Sequence, residues 1–150
     1  MKAEVSIYEY STAPLERIIS SLMEKVLAGG KRAVIVAPEE ERVEQLTTSL
    51  WTLGKGSFIP HGTKKDGFPE DQPIWLSDKV ERPNDATVLV LVDGISAGEQ
   101  LDSFEKCLEL VDGRDTTAVS KVNSKVDQYQ AAGHTVTYWV QGANGWQKRD

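Results

Sequence analysis

The sequence predicts an α/β sandwich, a mainly parallel central sheet flanked by helices, and two observations carry that prediction. Residues 32–38 (RAVIVAP) and 87–92 (TVLVLV) are apolar almost without interruption, the pattern of strands covered on both faces. The β-rich segments are separated by amphipathic stretches with apolar residues three and four apart, and such alternation is how a parallel sheet is connected. At 150 residues the chain fits one domain. No repeat, low-complexity run or linker divides it, so 1–150 is read as a single unit.

The elements follow in order. Residues 4–10 (EVSIYEY) alternate polar and apolar and read as a strand. Leu15, Ile18, Ile19, Leu22, Val26 and Leu27 share one helical face, with Pro14 in the first turn, Thr12 or Ser11 as cap, and Gly29-Gly30 as terminator. After the buried strand at 32–38, Val43, Leu46, Leu50 and Leu53 mark a second helix, with Glu39, Glu40 and Glu41 at its positive end. Residues 57–60 suggest a minor strand, 61–73 a loop, and 74–77 another strand. Asp93-Gly94 closes the strand at 87–92. Phe104, Cys107, Leu108 and Val111 are spaced as a third helix, and Val119, Val122, Val126 and Tyr129 as a fourth that ends at Gly133. Residues 134–140 alternate as a final strand.

Composition narrows the function. No apolar run reaches the roughly 18 residues of a membrane span, and no basic-then-apolar leader opens the chain, so a cytoplasmic protein without a membrane partner is expected. One cysteine, Cys107, fits a reducing compartment. A net charge of −6 opposes backbone-dominated nucleic-acid binding, so contact with nucleic acid is expected to be mainly indirect.

Catalytic fingerprints are missing. No G-x-G-x-x-G follows the first strand, and Gly54-Lys-Gly-Ser57 follows a helix rather than opening one, the wrong order for a phosphate loop. Two histidines, His61 and His134, and one cysteine make a poor metal set, and no cofactor is expected. Cys107 reads as a small apolar core residue. Asp93 stands at a strand's C-terminal end, where α/β proteins often place functional groups, but a turn-forming Asp-Gly is the simpler reading. A nucleotide- or metal-dependent enzyme using the C-terminal edge of the sheet, near Asp93 and His61, remains the alternative, with direct nucleic-acid binding through Lys64, Lys65 and the C-terminal basic residues as another.

Two features suit protein contacts. Trp51, Phe58 and Pro60 cluster about a glycine-rich turn, a composition that serves an interface anchor or seals the edge of a core. Lys121 and Lys125 lie four apart beside Val126 and Tyr129, with Lys148 and Arg149 near the chain's end. That patch could receive an acidic peptide or form an ordinary solvated face.

The order of motifs, GKRAVIV at 30–36, LW at 50–51, SFIPH at 57–61, PIWL at 73–76, NDATVLVLVDG at 84–94 and AGHTVTYW at 132–139, resembles the chi subunit of bacterial DNA polymerase III holoenzyme. The resemblance implies a Rossmann-like fold without nucleotide chemistry and a non-catalytic adaptor. Such an adaptor joins the clamp loader to single-stranded-DNA-binding protein. It implies that Trp51, Phe58 and Pro60 face a psi subunit or another clamp-loader or helicase partner. It places Lys121, Lys125, Val126, Tyr129 and Lys148 at the surface for the acidic C-terminal tail of single-stranded-DNA-binding protein. One departure stands out: Val119, Asn123, Asp127 and Gln130 occupy helix positions that are basic in better-known members, which shifts the expected contact toward Lys148 and Arg149.

Overall fold

The computed structural model describes residues 2–52 and 60–149. In chain order its elements are β1 (Glu4–Tyr10), α1 (Leu15–Ala28), β2 (Ala33–Val36), α2 (Glu40–Trp51), β3 (His61–Gly62) and β4 (Ile74–Ser77). They continue with β5 (Val88–Leu91), β6 (Lys106–Asp112), α3 (Thr116–Ala131), β7 (Thr135–Gly142) and β8 (Gly145–Arg149). The strands form one sheet in the order β3-β4-β2-β5-β6-β1-β7-β8. Every neighbouring pair is parallel except the β7–β8 hairpin. The expected α/β sandwich is therefore the observed fold.

Alternation along each strand divides the core in two. Ile35, Val90, Leu108 and Leu110 point to the face covered by α1 and α2, where Ile18, Ile19, Leu22, Met23, Val43 and Leu46 meet them. Val34, Leu89, Leu91 and Cys107 point to the other face, beneath Val122 of α3 and beneath Leu101 and Phe104 around a 3-10 turn at Gly98–Ser103.

The largest correction concerns 104–111, which the periodicity assigns to a helix. The structure makes Lys106–Asp112 a strand in the middle of the sheet. The spacing of Phe104, Cys107, Leu108 and Val111 mimics a helical face because Glu109 interrupts an otherwise apolar run. Glu109 is itself only 3% exposed, so the run is continuous in burial though not in hydropathy. Cys107 is buried as expected, but on this strand, and burial pushes its thiol far above the ordinary range.

Three smaller corrections have local causes. Neither Ser11 nor Thr12 caps α1; Pro14 is its N-cap residue, without a side-chain cap. Instead Gln141 Oε1, from β7, accepts the amides of Ser11 and Thr12 at 2.9 Å each and of Ala13 at 3.4 Å. In the segment expected to be loop, His61 and Gly62 pair with β4 as a two-residue strand; of the strand suggested at 57–60, residues 57–59 lie outside the described residues, as does Leu53 on α2. The polar segment 145–149 completes a hairpin that the alternation at 134–140 did not announce.

Topology fixes where crevices open. The chain leaves β1 for α1 on one face and leaves β6 for α3 on the other, and β1 and β6 are neighbours. The same reversal separates β2, which feeds α2, from its neighbour β4, whose following segment packs Val80 and Ala86 against the opposite face. Ligands of open α/β sheets bind outside the strands' carboxyl ends at such reversals.

Candidate protein-interaction site

The two flanks of α3 carry different chemistry. Its first turn is capped by Asp115, whose Oδ1 accepts the Ala118 amide at 3.1 Å. Val122 is buried beneath the helix, and Val119, Val126 and Tyr129 pack beside it.

On the flank facing β6, Lys125 and Tyr129 turn inward rather than outward. Lys125 Nζ lies 2.7 Å from Glu109 Oε2 and donates to the carbonyls of Ile95 at 2.8 Å and Gly94 at 3.3 Å. Tyr129 Oη donates to Glu109 Oε1 at 2.6 Å. The Lys125 and Glu109 side chains are 13% and 4% exposed, so this is a buried pair with both carboxylate oxygens occupied. Burial first, then the Glu109 charge and hydrogen bond, push the Tyr129 phenol well above its ordinary value. Lys121, one turn earlier, is exposed and lines a cavity of about 420 Å³ at the β1–β6 reversal. The acids in that cavity are already engaged: Arg42 Nε binds Asp93 Oδ2 at 2.6 Å, and Arg114 Nε binds Asp112 Oδ1 at 2.9 Å. Arg114 holds the Asp112 carboxyl below its usual range.

On the flank facing β8, the chain end meets the helix. Arg149 donates to Asn123 Oδ1 at 2.8 Å, and its guanidinium carbon sits 3.4 Å from the Tyr138 ring centroid. Tyr138 Oη donates in turn to Glu9 Oε1 at 2.6 Å, which fixes the ring under the cation. Val126, three residues after Asn123 on α3, and Val140, two after Tyr138 on β7, are half-buried against the apolar cluster that holds Tyr138. The hairpin register pairs Tyr138 with Arg149 and Trp139 with Lys148, so Lys148 points to the opposite face from α3. That opposite face is where Trp146 packs, edge-on to Tyr8 with ring centroids 5.1 Å apart.

Of the residues expected to form one basic-and-apolar patch, the structure thus gathers Val126 with Arg149. Lys121, Lys125 and Tyr129 lie on the other flank and Lys148 on the other face. Sequence reasoning missed Asn123, Tyr138 and Glu109; the Asn144-Gly145 turn signal preceding Arg149 was the available clue to the hairpin.

The aromatic surface is simpler. Trp51, at the end of α2, is 48% exposed and its ring is 4.2 Å from that of His61, tilted by 34°. Pro60, which precedes His61 in the chain, is exposed, and Phe58 lies outside the described residues. His61 pairs with Ile74 at the amino end of the parallel strands, whereas Asp93 follows their carboxyl end. The two residues of the enzymatic alternative are therefore at opposite ends of the sheet. Among the described residues no group of three or more His, Cys, Asp or Glu side chains is placed to hold a metal ion, and no helix is long and apolar enough to cross a membrane.

The family model described as "DNA polymerase III chi subunit, HolC" matches residues 2–137. A relative in Rickettsia prowazekii (strain Madrid E), named "Probable DNA polymerase III subunit chi", is 37% identical over 89 residues, which cover 59% of this chain. The match spans 54% of that relative, about half its length. Residues 138–149, with Tyr138, Lys148 and Arg149, lie beyond the family match. The chain belongs to the DNA polymerase III chi subunit family.

Proposed function

We propose that this chain is a non-catalytic adaptor that links the clamp-loader complex to single-stranded-DNA-binding protein by holding the acidic C-terminal tail of that protein. The observation that carries this reading is the cation at the α3–β8 seam. Arg149, held over Tyr138 and against Asn123, offers a planar guanidinium beside the half-buried Val126 and Val140. A guanidinium suits bidentate recognition of a carboxylate, and the adjoining apolar surface suits an aromatic or aliphatic neighbour. Helix positions that lack a basic residue here, such as Asn123, are thus supplied with charge from the neighbouring strand. Lys121 on the far flank of α3 and Lys148 on the opposite face of the sheet contribute only long-range charge. Weak binding suffices, because many tails displayed on one coated strand raise avidity without new contacts.

Trp51, with Phe58 and Pro60, is the proposed surface for a psi subunit or another clamp-loader or helicase partner. Fluorescence anisotropy with a labelled acidic tail peptide tests the tail surface. Saturable binding that weakens with salt and is lost in Arg149→Glu supports it, and equal binding by Arg149→Glu refutes the seam. Capture of partners from the native cell, with and without Trp51→Ala, tests the second surface; an unchanged partner set would reject it.

A further inference from the structure

The reversal between β2 and β4 opens a cavity of about 300 Å³ that the adaptor reading does not use. It lies at the carboxyl end of β4 beside the first turns of α2, at the end of that helix away from Trp51. Its apolar lining comes from Val43, Pro69, Trp75, Leu76 and Pro83. Two exposed ion pairs, Lys64–Glu40 at 3.1 Å and Lys65–Glu44, cross its rim and neutralise those charges.

One carboxylate is held differently. Glu81 Oε1 accepts the Trp75 indole N–H and the Ser77 hydroxyl, both at 2.9 Å, and the Ser77 oxygen in turn accepts the Lys79 amide at 3.2 Å. Trp75 and Ser77 are 4% and 7% exposed, so Glu81 is fixed on buried donors while its own side chain stays 32% exposed. Its Oε2 has the Lys79 ammonium at 3.9 Å, and that lysine is 73% exposed and weakly held. With Asp78 also in the lining, the inner charges sum to one net negative.

An exposed aromatic stands between two of the lining residues. Phe68 is 70% exposed and sits at φ +52°, a left-handed conformation that is costly for a side chain of this size. Its neighbours Gly67 and Pro69 line the cavity. An outlier of this kind is found where the surrounding structure presents a side chain for use.

From these observations we infer that the β2–β4 crevice is a docking site for a partner segment that carries an arginine beside an aliphatic residue. The aliphatic side chain fills the apolar floor, the guanidinium pairs with Glu81, and Phe68, between the lining residues Gly67 and Pro69, offers an exposed ring for it to stack on. A neutral occupant would leave Glu81 unused, and an acidic one would be repelled by it. Guanidinium groups both fork onto carboxylates and stack on aromatic faces, which an ammonium does less well.

The Trp75 indole N–H reports on Glu81 directly, so its resonance in a ¹H–¹⁵N spectrum of the full chain reads occupancy. The probes are the peptide amides acetyl-Leu-Arg-Leu and acetyl-Leu-Gln-Leu. A saturable indole shift is expected with the arginine peptide, with Kd at least tenfold weaker for the glutamine peptide and for Glu81→Gln. That variant keeps an acceptor for Trp75 and Ser77 and so keeps the fold. Phe68→Ala should weaken binding several-fold. No saturable shift, equal affinity for the two peptides, or an unaffected Glu81→Gln would overturn the inference. An indole shift that follows protein concentration without peptide would assign the crevice to a second copy and overturn it equally.

Discussion

Lys125 illustrates how a residue's type can mislead about its task. By spacing it shares a helix face with Lys121, yet Nζ is spent on Glu109 and two backbone carbonyls. Removing one partner of a buried pair strands the other charge and costs about 3–5 kcal/mol, whereas replacing both with apolar groups of similar size is often neutral. Lys125→Met should therefore lower unfolding free energy in urea by that amount, and combining it with Glu109→Leu and Tyr129→Phe, which removes the hydroxyl that Glu109 accepts, should recover most of it. A single variant as stable as the parent would contradict the buried-pair account. Weakened tail binding by a Lys125 variant would consequently report instability, which makes Arg149 the informative position. Nothing in the sequence marks Glu109 as buried, because a lone acid in an apolar run is indistinguishable from the polar side of a helix until its partners are known.

At the scale of elements, local pattern served well wherever burial and hydropathy coincide. β1, β2, β5, α1 and α3 follow directly from alternation, apolar runs and helical stripes. It failed for β6, where a buried carboxylate broke the run, and for β8, where an edge strand of five mostly exposed residues has no apolar signature. It failed also for the entry to α1, whose amides are satisfied from 128 to 130 residues away by Gln141. That long-range cap has a measurable weight. Gln141→Ala removes the acceptor of three amides and should cost about 0.5–2 kcal/mol, the range of a lost helix cap. Faster hydrogen exchange confined to residues 11–13 and the first turn of α1 would accompany it; unchanged exchange there would contradict the assignment. In the candidate site Val126 and Arg149 were both legible as residues, but the separation of Arg149 from Lys148 depends on a hairpin and its register.

The whole molecule couples its charge state to the crevice at the β1–β6 reversal. Burial first, then the Asp112 and Asp93 carboxylates, push the Tyr10 phenol from 10.0 up to about 12. The native state keeps a proton that the unfolded chain releases, so this contribution is fully present below about pH 10 and is lost as pH rises toward 12. Tyr129 and Tyr138 are shifted in the same direction and add to it. Urea midpoints measured from pH 9 to pH 11 should fall, and Tyr10→Phe should make that fall shallower; an identical slope would deny Tyr10 its part. The same architecture leaves three separate outlets: the α3–β8 seam, the Trp51 surface at the end of α2, and the Glu81 crevice. Their separation is what an adaptor requires, since a partner at one need not displace a partner at another. The most direct test of that adaptor role is anisotropy of a labelled acidic tail peptide at low salt with the parent, Lys121→Glu and Arg149→Glu. The account predicts saturable binding by the parent, at most a twofold loss with Lys121→Glu, and at least a tenfold loss with Arg149→Glu. No saturable binding by the parent, or full binding by Arg149→Glu, would contradict it.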